Sequence, residues 1–327
     1  MTGVARNRTV LVATSEGLFG IDQATGAITR DDGLGARDVE AMVPDGDEAW
    51  AILDERVLAW RRNDGSWTDL ALAEPEAATS LVASSHGVFV GTEGARLLRL
   101  HGGALFPVEA FDEVAGRDDW YTPWGGPPAV RSIAEDRGGR LHVNVHVGGI
   151  PRSLDGGEAF EPTVDVDADV HQVIAHPIAP HVVLAAAAVG LLVSEDGGAT
   201  WRTEAEGLAS TYARAVAVAD GAVLLTASNG PRGGDAAVYR SAFDAGPGAH
   251  PVLERCTDGL PMSFDANIDT GWLVADGPTA AFASPDGSIF VSGDAGRSWS
   301  AAAEGLPNVH WVTLAPAAPV MSGSSSG

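Results

Sequence analysis

Apolar residues fall in short runs along this chain, each closed by glycine, aspartate or serine. Seven runs have the length of a buried β-strand: Val39–Val43, Ser80–Ala83, Val130–Ala134, Val170–Ala175, Ala213–Val218, Gly271–Ala275 and Val309–Ala315. Each predicts the first, inner strand of a four-stranded unit. The last run has no chain behind it for three more strands. Val10–Thr14, Leu18–Ile21 and Ala27–Arg30, at the other end, lack an inner strand of their own. The two ends are therefore expected to complete one sheet together, which hides sheet edges and ties down both termini. The longest apolar run, Val182–Val193, has 12 residues. That is short of the roughly 20 needed to span a bilayer, so it predicts a buried strand pair.

One polar phrase punctuates these runs. Ser153-Leu-Asp155-Gly-Gly157-Glu-Ala-Phe160 is echoed by Ser194-Glu-Asp196-Gly-Gly198-Ala-Thr200-Trp201 and by Ser292-Gly-Asp294-Ala-Gly296-Arg-Ser298-Trp299. Asp64-Gly65-Ser66-Trp67 is a shortened copy. Asp155 and Asp196 lie 41 residues apart, and Asp196 and Asp294 lie 98 apart, or two units of 49. A period in the forties built of short strands predicts one four-stranded propeller blade per unit. The phrase is turn chemistry. Serine and aspartate accept hydrogen bonds from the turn backbone, glycine takes the positive-φ position, and the aromatic opens the next strand.

The phrase resembles the Asp-box, or BNR, repeat of sialidase-type β-propellers. Two copies match S-x-D-x-G-x-[ST]-W in full, the Ser153 copy departs at Ala159 and Phe160, and the Asp64 copy is truncated. The resemblance implies an all-β, seven-bladed propeller of four-stranded antiparallel blades, closed by the C-terminal strand. It would form one domain over residues 1–316, with a flexible Ser/Gly tail over 317–327. Sialidases of this type use three arginines on the substrate carboxylate, a tyrosine–glutamate pair and an acid/base aspartate. Arg131, Arg214 and Arg37 could supply a clamp. Tyr212 has no evident glutamate partner, the early Arg-Ile-Pro motif is missing, and Ile150-Pro151-Arg152 only reorders it. The resemblance thus implies the scaffold without the sialidase catalytic signature.

In such a blade the polar phrases mark one face, and the starts of the inner strands mark the other. Aligned on their apolar residues, the inner strands place Glu40, Thr79, Arg131, His171, Arg214, Thr270 and His310 at one equivalent position, predicted to converge on the channel mouth. Trp120, Tyr121 and Trp124, in the loop leading to Arg131, are candidates to stack on a sugar ring or planar acid. Tyr212 and Arg232 are further candidate contacts. His171, His310 and Glu40 are the candidate catalytic residues. His171, His310 and His146 are candidate ligands for a divalent metal ion, a 2-His-1-carboxylate set being completed by Glu40. His142 and His146, four apart on a strand, lie about 13 Å apart and cannot share one ion.

Composition narrows the partners. The 327 residues include 44 acidic and 20 basic side chains, every basic one an arginine, for a formal charge of −24. That disfavours nucleic acid. Cys256 is the only cysteine, which excludes a disulfide scaffold. Arg6 and Arg8 are followed by no long apolar stretch, so a cytoplasmic protein without a membrane partner is expected, and a monomer is compatible with the sequence. Three functions stay open: binding or transforming a small anionic or polyhydroxylated, glycan-like molecule at the channel mouth, metal-dependent catalysis by the histidines there, and a non-catalytic protein-interaction scaffold.

Overall fold

The hydrophobic runs pair into seven four-stranded antiparallel sheets, as a computed structural model shows over residues 8–316 apart from 24, 72–75, 124, 244–247 and 249. The Ser/Gly tail of residues 317–327 and Trp124 lie outside the described residues. The inner strands are Val39–Asp45, Ala78–Ser84, Val130–Glu135, Val170–Ala175, Tyr212–Ala219, Leu273–Asp276 and Val309–Pro316. Each touches the inner strands of its two neighbours, and the sequence of contacts closes on itself. The result is a seven-bladed β-propeller.

Closure follows the expected route. The C-terminal strand Val309–Pro316 is innermost in the sheet of Arg8–Thr14, Gly17–Asp22 and Ile28–Arg30, pairing antiparallel with Arg8–Thr14. The run Val182–Val193 is a buried hairpin, Val183–Ala187 against Gly190–Ser194. The core is a series of apolar layers between adjacent blades. In one of them Leu184, Leu191 and Val193 pack against Val216, Leu225 and Tyr239 of the next blade. Among the described residues, no helix is long and apolar enough to cross a membrane.

The polar phrases are the turns between the third and fourth strands, and three share one hydrogen-bond pattern. Gly157, Gly198 and Gly296 each donate a backbone N–H to the Ser153, Ser194 or Ser292 Oγ at 2.8, 2.7 and 2.9 Å. Asp196 Oδ1 accepts from the Ala199 and Thr200 backbone, and Asp294 Oδ1 from Arg297 and Ser298. The indoles of Trp201 and Trp299 each close their turn on a glycine carbonyl at 3.2 Å. Gly296 has φ +78°, and a Cβ there would lie 2.5 Å from the Leu224 side chain. Glycine is required both by conformation and by space.

Candidate functional site

The face opposite these turns is built by an irregularity. In six inner strands the register slips by one residue near the start, and the residues left over are Glu40, Thr79, Arg131, His171, Arg214 and His310. A bulge frees one residue from the in–out alternation of the pleat and re-aims its side chain. The seventh equivalent, Thr270, precedes the first paired residue of its strand, Leu273. Glu40, Thr79, Arg131, Thr270 and His310 line a cavity of about 470 Å³ together with Glu55, Glu93, Asp269, Trp272 and Trp311. The aligned positions therefore do meet, although His171 and Arg214 stand beside this cavity rather than in its lining. Thr270 Oγ1 laces them in place, donating toward the His171 and Arg214 carbonyls at 3.2 and 3.1 Å.

The three candidate arginines differ sharply in what they already hold. Arg37 is committed to Asp54 and Asp69 at 2.8 Å each, so it is no part of a clamp. Arg214 pairs with Asp269 at 3.1 Å and lies over the Tyr212 ring at 5.1 Å. Arg131 lines the cavity, and its Nη1, sealed from solvent, has no hydrogen-bond partner. Burial, reinforced by Arg214 nearby, pushes the Arg131 pKa down despite Asp269 and Asp169. An arginine stays charged under such a shift.

The histidines fall into two clusters. His310 sits between Asp38 at 3.1 Å and Glu40 at 3.6 Å. Burial pushes the Glu40 carboxyl up, with Asp38 and Glu55 adding to it, against the pull of His310. His171 instead meets His146 and Asp169. Its Nε2 lies 3.5 Å from Asp169 Oδ1, and His146 Nε2 lies 3.2 Å from the same oxygen. The expectation that His171, His310 and His146 share one ion is thus corrected. His310 is three blades from His171 around the ring, whereas His146 is on the adjacent blade. Burial pushes both His146 and His171 pKa values down. Burial would raise Asp169, but the two imidazoles beside it outweigh that and hold it well below the usual carboxylate range.

Local backbone explains the placement. His146 follows the strand Leu141–Val145 and precedes Val147, a β-branched residue at φ +50°. Asp169 ends the short turn Val166–Ala168 at φ +48°, a conformation aspartate tolerates. His171 is the bulge residue two positions on. Asp169, Asp38, Glu55 and Glu93 were not identified from the sequence. Asp169 sits just outside the run used to align the strands, and only its spacing in Asp169-Val-His171 hinted at it.

Of the loop aromatics, neither Trp120 nor Tyr121 lines the cavity. Trp120 packs on Phe111, ring centroids 5.7 Å apart, beneath the Arg117 guanidinium at 4.8 Å, which fixes the loop instead of offering a stacking face. Tyr121 is exposed and holds the loop through its N–H to the Val147 carbonyl. Arg232 is exposed and does not line the cavity. Tyr212 packs beside His171, its ring 4.8 Å away, and burial pushes its phenol up. His142 is buried against Asp136 at 3.2 Å on the opposite face. Burial pushes the Cys256 thiol up to about 11, so it is no nucleophile near neutral pH.

No family model matches the chain, and no curated protein matches it in sequence. Solved structures do match in fold. A catalytically inactive virginiamycin B lyase from Staphylococcus aureus with quinupristin is 13% identical at a TM-score of 0.61, over 88% of this chain and 95% of that one. YCF48 bound to a D1 peptide is 15% identical at 0.55, over 89% and 88%. An ancestral GH74 enzyme is 14% identical at 0.56 over 77% of this chain, which spans only 34% of that enzyme. At these identities the likeness concerns the propeller fold.

Proposed function

We propose that the chain binds a small acidic, polyhydroxylated molecule of the sugar-acid class in the channel-mouth cavity, its acid group held by Arg131. The observation that carries this is the Arg131 guanidinium, which lines a cavity of ligand size, about 470 Å³, and makes no ion pair or hydrogen bond among the described residues. An anionic oxygen set against the cavity-facing part of an unpaired guanidinium gains a charge-assisted hydrogen bond. Glu40, Glu55, Glu93 and Thr79, on the cavity wall, suit hydroxyl groups. The resemblance of the three serine–aspartate turns to the Asp-box, which sialidase-type propellers share with sorting receptors and photosystem assembly factors, is in keeping with a carbohydrate-like ligand.

The test is thermal unfolding of metal-free protein with glucuronate, galacturonate, N-acetylneuraminate or citrate, against glucose as neutral control. At a concentration of 100 Kd a bound acid should stabilise the fold by about 2.7 kcal/mol. The gain should vanish in Arg131→Met. Equal stabilisation by glucose, or a gain that survives Arg131→Met, would refute the reading. Partner capture insensitive to the cavity would favour the scaffold instead.

A further inference from the structure

The geometry points to a divalent transition-metal site formed by His146 Nε2, Asp169 Oδ1 and His171 Nε2. It stands on residues other than Arg131 and holds whether or not the cavity takes an acid. The three ligand atoms all lie within 4.8 Å of one another. The two spacings to Asp169 Oδ1, 3.2 and 3.5 Å, bracket the edge of a coordination tetrahedron, about 3.3 Å for bonds of about 2.0 Å.

Tautomer chemistry strengthens the case. His171 Nδ1 lies 2.6 Å from the Ala213 carbonyl oxygen. A carbonyl only accepts, so Nδ1 carries the hydrogen and the Nε2 of the neutral ring presents a lone pair. That atom lies 3.5 Å from a carboxylate oxygen, Asp169 Oδ1. Both atoms are sealed from solvent, and neither has a hydrogen-bond partner. His171 is fully buried, with none of its side chain exposed. Two acceptors 3.5 Å apart and sealed from solvent repel, and a cation between them turns that repulsion into two bonds. The Nδ1–H to carbonyl contact is also the outer-sphere support that metal-bound imidazoles use to fix their orientation. An imidazolium at His171 is the other arrangement that satisfies both ring nitrogens.

Two imidazoles and one carboxylate suit Zn²⁺, Fe²⁺, Mn²⁺ or Co²⁺ better than Ca²⁺ or Mg²⁺, which prefer all-oxygen ligands. Three protein ligands leave further positions for water or a bound molecule, the pattern of reactive rather than purely structural sites.

The experiment uses tag-free protein stripped with chelator and dialysed without organic anions. It is titrated with Zn²⁺ by calorimetry and with Co²⁺ by visible absorption, with elemental analysis for stoichiometry. One ion per chain is expected, with Co²⁺ bands of a low-symmetry nitrogen–oxygen site. Asp169→Asn keeps the side-chain volume and tolerates the left-handed backbone, so it should fold and yet bind at least about tenfold more weakly. His146→Gln, checked by the same unfolding curve as wild type, should do the same. Uptake below about a tenth of an equivalent would overturn the site in favour of an imidazolium. Undiminished affinity in Asp169→Asn, or affinity lost in His310→Ala instead, would place the ion elsewhere and overturn it as well. Because uptake is read without any organic acid, failure here leaves the Arg131 reading standing, and failure of that reading leaves this one.

Discussion

The two faces of the ring use polar side chains for opposite ends. On the turn face, Ser292 and Asp294 accept the N–H groups of Gly296, Arg297 and Ser298, Ser298 Oγ caps the second Asp294 oxygen, and Trp299 locks the hairpin. Ser194 and Asp196 repeat the pattern. Among the described residues, no side chain of the Ser194 and Ser292 turns holds a sealed polar atom without a hydrogen-bond partner, although Trp67 of the shortened copy and His142 on the same face do. At the channel mouth, Asp38, Arg131, Asp169, His171, Arg214 and His310 all do. One face spends its polar groups on folding. The other carries more of its polar groups as charged side chains, several set at bulges, with some of their polar atoms left without a hydrogen-bond partner, as residues held for a ligand are. The same propeller thus separates stability from chemistry by which end of each strand a residue occupies.

That contrast can be broken most forcefully on the turn face. Trp299 is 5% exposed and meets Phe282 edge-on, centroids 5.0 Å apart. Trp299→Ala should cost about 3–5 kcal/mol in chemical denaturation. A loss below about 1 kcal/mol would mean these turns are ornament to the fold.

Asp136 on the same face offers a titratable version. Burial would raise its carboxyl, but His142, Arg140 and the Arg140 and Gly138 N–H groups outweigh that and hold it at about 2. A folded-state value below the unfolded one stabilises fully above about pH 4 and is lost as pH falls through the folded value. Asp136→Asn should therefore be less stable than wild type by about 2 kcal/mol at pH 7. The gap should hold down to about pH 4 and close between about pH 4 and 2. A gap constant through pH 2, followed by urea unfolding, would show that the carboxylate charge contributes nothing.

The turn face was legible in the sequence because its chemistry is local. Serine, aspartate, glycine and tryptophan act within one hairpin, so spacing alone exposes them and, through their period, the blades. The mouth was half legible. Aligning apolar residues found Glu40, Thr79, Arg131, His171, Arg214, Thr270 and His310, since equivalent strands must register with each other in the core. The bulges that aim six of them leave no compositional mark. Nor does sequence say which histidine faces which. His171 meets His146 through blade adjacency, while His310, at a matched position, faces Asp38 and Glu40 far around the ring. Asp169 escaped notice because its left-handed backbone, which sets the carboxylate between two imidazoles, belongs to a turn that no hydrophobic pattern registers.

The finest test of the contrast expects almost no change. Arg131→Met removes a partly buried cation with one unmet donor while keeping an unbranched chain to fill the space. Were Arg131 a structural residue, leaving Asp269 and Asp169 without its charge would destabilise the fold, as breaking a buried ion pair does by about 3–5 kcal/mol. Asp269 already has Arg214 at 3.1 Å, and Asp169 lies beside two imidazoles, so neither depends on Arg131 for a direct partner. The expected outcome in urea denaturation at pH 7 is a change within about 0.5 kcal/mol of zero, or a slight gain. Trp299→Ala and Arg131→Met, measured side by side, then stand at the two ends of the scale. A loss of more than about 2 kcal/mol in Arg131→Met would make the mouth a structural layer like the turn face and remove the ground for assigning it a ligand.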